Sequence, residues 1–143
     1  MRIVVSTLLD ATPEQVWADI SNLASHVEWM HDATEIRFTS AVHTGLGTTF
    51  ECDTKVGPLS TTDEMTITSW EPGRSLGVRH SGVVTGVGEF TLEAEGLGTR
   101  FTWDEELTFP LWLGGGFAAA ASKPVLKAIW TRNLAGLRRR FLT

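Results

Sequence analysis

The 143-residue sequence predicts an α+β domain: an antiparallel sheet of about seven strands, two short helices after the first strand, and a long C-terminal helix packed across the sheet. Three observations predict it. Turn signals recur every 8 to 14 residues between Glu35 and Phe109, separating stretches rich in β-branched and aromatic residues. The stretch "DATPEQVWADI", just after a strand-like opening, carries a helix-start signature. From Ser122 onward the apolar residues recur at helical spacing.

Taken in order, Arg2–Leu9 is rich in Ile, Val, Leu and Thr and reads as a strand. Asp10 or Thr12 can then cap a helix, Pro13 suits its first position, and Glu14 lies in the first turn. Val16, Trp17 and Ile20 share one face, and a second short helical piece runs through Leu23, Ala24 and Val27 to Trp29. "EIRFTSAV", "TTFECDTKV", "LSTTDEMTITSW", "SLGVRHS", "VVTGVGEFTLEAE" and "TRFTWDEELTF" are the further strands. Their turns fall at Gly45–Gly47, Gly57–Pro58, Glu71–Arg74 and Gly96–Gly98. Leu126, Ile129, Trp130, Leu134, Leu137 and Phe141 mark the buried side of the last helix. A helix over Ser122–Leu142 is about 30 Å long, enough to cross a sheet. Its start is open between two readings: Phe117, with Pro124 bending the helix, or Ser122 as cap, with Pro124 in the first turn.

Composition bounds the function. A chain of this length with 42% hydrophobic and 20% charged residues is one globular domain, residues 1–143. Cys52 is the single cysteine, so no intrachain disulfide can form, which suits a reducing, cytoplasmic setting. The net charge of -5 argues against nucleic-acid binding. Six of the 12 basic residues nevertheless follow Ala121, ending in Arg138-Arg139-Arg140. They read as a solvated helix end that complements the helix dipole, with an anionic docking surface as the weaker alternative. "MRIVVSTLLDATPE" lacks the pattern of a signal peptide. The uncharged run Phe109–Ala121 has 13 residues and contains Pro110 and three glycines. A spanning helix needs about 20 residues, so no integral membrane segment is expected.

"DATPEQVWADISNLASHVEW", "ITSWEPGRSL", "EGLGTRFTWDEELTFP" and "NLAGLRRRF" together resemble the START-like (SRPBCC, helix-grip) superfamily, most nearly its bacterial polyketide cyclase/dehydrase-type branch. The resemblance spans nearly the whole chain and rests on structural motifs, so it is specific for fold and poor for function. It implies a strongly curved sheet gripping the last helix, with a cavity between them for a lipid, sterol, polyketide, quinone or hormone. Some members of the superfamily catalyse cyclisation or dehydration, others carry or sense a ligand, and some are interaction modules. The present chain contains no tyrosine, so aromatase/cyclase members that use tyrosine hydroxyls have no match here.

Strand parity separates the two faces of such a sheet. Asp63 shares a face with Met65 and Ile67, His80 with Leu76 and Val78, and Glu105 with Phe101, Trp103, Leu107 and Phe109. A single bulge would invert any of these assignments. Asp63, His80 and Glu105 are therefore the candidate catalytic or ligand-orienting groups. An inward histidine can relay a proton, and an inward carboxylate can act as acid or base. The competing reading places both carboxylates in water at strand ends and His80 against a backbone carbonyl. The implied cavity would be lined by Phe50, Met65, Val78, His80, Phe90 and Trp103 from the sheet, and by Leu126 and Ile129 from the helix. Trp112, Leu113 and Phe117 would form its mouth, with Gly114–Gly116 as a hinge.

Other motifs fail. His26, His31 and His43 have no metal-ligand spacing and read as loop or surface histidines, so no metal is expected. Gly86-Val87-Gly88 lacks the third glycine of a dinucleotide fingerprint, no Walker-type lysine follows a glycine run, and there is no nucleophile elbow. No cofactor is expected, and Cys52, which shares a face with Phe50, reads as a small buried hydrophobe, with a ligand-facing thiol as the alternative. The expected function is binding of a small hydrophobic molecule. A cyclase/dehydratase-like enzyme and a protein-interaction module with a filled interior are the alternatives, and a homodimer is left open.

Overall fold

The computed structural model describes residues 1–142. Seven strands form one antiparallel sheet: β1 (Arg2–Leu9), β2 (Ala33–Phe38), β3 (Thr49–Val56), β4 (Leu59–Glu71), β5 (Ser75–Ser81), β6 (Thr85–Glu95) and β7 (Gly98–Thr108). Their spatial order is β1-β7-β6-β5-β4-β3-β2, so β2 to β7 form a continuous meander and β1 closes the far side against β7. The sheet curves around a long C-terminal helix, α2 (Gly115–Arg139). This is a helix-grip architecture.

Local chemistry accounts for the first helix, α1 (Pro13–Ile20). Thr12, not Asp10, is the cap: its hydroxyl accepts from the Gln15 amide at 3.2 Å, and Gln15 Oε1 accepts from the Thr12 amide at 2.9 Å. Val16 and Ile20 are buried by α1. A 3-10 helix over Leu23–Glu28 follows and delivers Trp29 to the middle of the core. There Trp29 packs among Phe90, Phe101 and Trp103 at ring-centroid distances of 5.9, 6.3 and 6.4 Å.

The inner face of the sheet meets α2 through Trp130, Leu134 and Leu137. Trp130 stacks on Trp103 with centroids 4.7 Å apart. Asn133, fully buried, accepts from the His31 amide at 2.9 Å and donates to Asp32 at 2.7 Å, which fixes the helix to the segment before β2. At the helix end, Arg140 pairs with Asp19 of α1 at 2.7 Å.

The start of α2 lies at Gly115, earlier than either sequence-based reading. Gly114 (φ 106°) and Gly115 (φ 53°) take left-handed conformations that turn the chain sharply from a short 3-10 helix, Leu111–Leu113, into α2. Pro124 consequently sits well inside the helix. It is tolerated because Ala120, whose carbonyl loses its partner, is exposed to water.

These glycines make a graded prediction. Gly115→Ala should lower unfolding stability by about 1 kcal/mol or more, because alanine is strained at positive φ. Gly116 has an ordinary φ and nothing within 4 Å of an added Cβ. Gly116→Ala should therefore be neutral or stabilise by up to about 1 kcal/mol. Urea denaturation of the two variants decides the matter: equal losses would refute the account.

Candidate functional site

A cavity of about 430 Å³ lies between the inner face of the sheet and α2. Its walls are mainly apolar side chains from β3 to β7, completed by Leu126 and Trp130 of α2. Phe50, Met65, Val78, Phe90 and Trp103 stand on these walls, and Leu113 stands at the helix junction. Ile129, Trp112 and Phe117 do not line the cavity. Ile129 packs into the neighbouring core as the helix turns past the cavity. Trp112 and Phe117 project outward because the paired left-handed glycines reverse the chain between them.

Asp63, His80 and Glu105 all reach the cavity wall. The bulge in β4 falls between Ile67 and Ser69, beyond Asp63, so the parity from Asp63 to Ile67 is undisturbed. Glu51 and Asp53 point to the opposite face, where Asp53 pairs with Arg37 at 2.6 Å.

His80 and Glu105 form a buried pair, His80 Nε2 lying 2.5 Å from Glu105 Oε1. They stand on β5 and β7, with β6 running between them. The register explains how they meet: His80 faces Gly86 and Glu105 faces Gly88, so the strand between them carries no side chain at either position. A Cβ on Gly86 would lie 2.6 Å from His80 Nε2, and one on Gly88 would lie 3.3 Å from the Glu105 carboxyl. The motif Gly86-Val87-Gly88 is thus a window in the sheet through which an acid and a histidine join across a strand. Its signal was present in the sequence, but it gains meaning only with the register.

Glu105 also accepts from Trp103 Nε1, at 3.2 Å through Oε2. One oxygen thus meets the Trp103 indole N–H and the other the His80 ring. Burial disfavours the His80 imidazolium, yet Glu105, Asp63 and the Val84 carbonyl outweigh it and hold the ring above the usual histidine value. Among the described residues, His80 Nδ1 is buried without a hydrogen-bond partner of good geometry. Asp63 is half-buried nearby. Burial raises its carboxyl, with His80 opposing and Glu105 adding to the rise.

One wall residue was not legible as such. His26 is buried, not a surface or loop residue, and its Nε2 lies 2.7 Å from the Ile20 carbonyl oxygen. Burial lowers its pKa and keeps it neutral. In the 3-10 helix that carries it, Leu23, Ser25 and His26 are the buried residues, so polar side chains share the buried side and apolarity does not mark it. Cys52 also lines the cavity, and burial pushes its thiol up to about 11, which makes it a poor nucleophile. Among the described residues, no three His, Cys, Asp or Glu side chains are grouped to hold a metal ion. No described helix is long and apolar enough to cross a membrane.

A curved seven-stranded sheet gripping one long helix over a mainly apolar cavity defines a helix-grip protein. The chain belongs to the family described as polyketide cyclase / dehydrase and lipid transport, which it matches over residues 1–142. No curated protein matches it. Among solved structures, a Thermus thermophilus protein is similar with a TM-score of 0.79 at 16% identity, covering 99% of this chain and 97% of that one. A Chromobacterium violaceum protein gives a TM-score of 0.74 at 12% identity, with 99% and 97% covered. A protein of the dynemicin biosynthetic locus gives 0.69 at 18% identity, covering 96% of this chain and 46% of its own. At these identities the likeness shows the fold.

Proposed function

We propose that the protein binds a small, largely apolar molecule in the cavity and fixes its polar group at the cluster of His80, Glu105 and Asp63. The observation that carries this is an apolar space of about 430 Å³ whose wall holds one buried acid–histidine pair. Ligand sites typically have such volumes, apolar walls and a few convergent polar groups. The half-buried Asp63 carboxyl on the same wall supports a polar ligand group at that end of the cavity. Family membership supports a polyketide or lipid as the ligand class.

Native mass spectrometry of freshly purified protein tests the proposal. The expected result is a small-molecule adduct that disappears in Val78→Trp, a variant that fills the cavity from β5. A hydrophobic-compound screen should raise the melting temperature of the wild type and leave that of the variant unchanged. Absence of both adduct and thermal shift in the wild type would sink the proposal.

The His80–Glu105 pair favours a second reading, a cyclase/dehydratase-like enzyme. There Asp63, half-buried on the wall, would take a proton next to a ligand carbonyl, and the His80 imidazolium held by Glu105 would favour the negative charge that forms. This reading requires the adduct to carry an acidic C–H beside a carbonyl.

A further inference from the structure

We propose that the collar of apolar side chains around the cavity mouth docks the protein on an anionic lipid surface. Four apolar side chains both line the cavity and are exposed, and so mark its mouth: Leu59 in the β3–β4 hairpin, Val83 before β6, Leu113 before α2, and Val125 within it. Beside them, in the segment that turns into α2, Leu111, Trp112 and Phe117 are 93%, 75% and 87% exposed. Exposed apolar residues scattered singly need no explanation, but a set from three separate segments gathered around one cavity mouth marks an interaction surface.

Two features select a lipid surface as the occupant. Side chains exposed to this degree project from the fold and do not line a groove. That suits insertion into a deformable interface better than fitting against a rigid partner. A tryptophan among leucine and phenylalanine matches the preference of indole for the headgroup boundary. The charge on the α2 side of the collar is also of one sign. No Asp or Glu follows Glu106, whereas Lys123 and Lys127 are exposed one turn apart on the first half of α2. Lysines flanking an inserted apolar patch are attracted to anionic headgroups while their stems lie along the acyl boundary. The orientation follows: the docked face is the face through which the cavity opens, so a hydrophobic molecule could pass between bilayer and cavity without crossing water.

The test is flotation of the full chain with vesicles of phosphatidylglycerol mixed equally with phosphatidylcholine, and with phosphatidylcholine alone. The protein should float with the anionic vesicles, weaken as salt is raised, and bind the neutral ones poorly. Trp112→Ser/Phe117→Ser and Lys123→Glu/Lys127→Glu should each reduce anionic binding by about tenfold or more. All four side chains are exposed, so the urea midpoint should not move. Binding that is absent, or indifferent to both double variants, overturns the proposal. So does a dimer that Trp112→Ser/Phe117→Ser dissociates, which would assign the collar to a second copy of the chain. Val78→Trp should still float, which separates failure of docking from failure of the cavity reading.

Discussion

Gly86→Ala is expected to lower the unfolding free energy by about 1–3 kcal/mol and to separate His80 from Glu105. The added Cβ would lie 2.6 Å from His80 Nε2, 2.7 Å from the Glu106 carbonyl oxygen and 2.9 Å from a Leu107 methyl. The Glu106 carbonyl belongs to the β7 backbone, held in register with both β6 and β1. It cannot move without disturbing two ladders, so the histidine ring must yield. Ligand binding should fall with the pair, because the polar end of the cavity is rebuilt. Gly88→Ala is the graded companion: its Cβ would meet the Glu105 carboxyl at 3.3 Å, a contact that a flexible side chain can relax by a small shift. Urea titration and NMR observation of the His80 ring read both effects. A Gly86→Ala protein with wild-type stability and an unmoved His80 titration would refute the window.

That window also shows what sequence reasoning could and could not reach. Strand periodicity and turn chemistry are local, so the strands, the Pro13 helix start and the long final helix were legible before any contact was known. Parity placed Asp63, His80 and Glu105 on one face because each assignment needs only a few residues of unbroken alternation. Whether those groups touch depends on register, set jointly by the β5–β6 turn and the β6–β7 hairpin. His80 and Glu105 are 25 residues apart, and no local pattern pairs them. The start of α2 was hidden for the opposite reason. A glycine triplet reads as a poor helix interior, but the first two supply the left-handed turn and the third begins ordinary helix. Trp112 and Phe117 were drawn inward by their apolarity, which is the premise that fails at a surface built to meet something apolar.

Glu105→Gln should abolish the fall in stability with rising pH above pH 6.5. In the wild type, His80 is held above its ordinary value of 6.5, so the native state binds this proton more tightly than the unfolded chain. Its contribution is fully present below 6.5 and is lost as pH rises through the raised pKa. Buried His26 has the opposite sign: its pKa is lowered, so stability is lost as pH falls below 6.5. Together they place a maximum near pH 6.5. Asp63, also raised, adds a loss that begins above its ordinary 3.8; burial, its largest cause, is kept in the variant while the Glu105 contribution goes, so the NMR titration of the ring is what isolates His80. Glutamine offers one oxygen where Glu105 uses two, leaving either His80 Nε2 or Trp103 Nε1 facing an NH₂ group. An unsatisfied buried donor costs about 1–3 kcal/mol, and that loss should appear at pH 6. Without the carboxylate, burial dominates at His80 and its titration falls toward or below the ordinary value. The decline on the alkaline side should then vanish while the acid-side decline persists. Urea midpoints from pH 5 to 9, with the His80 ring followed by NMR, supply the test. An alkaline decline preserved in Glu105→Gln would mean that the pair does not hold the His80 proton.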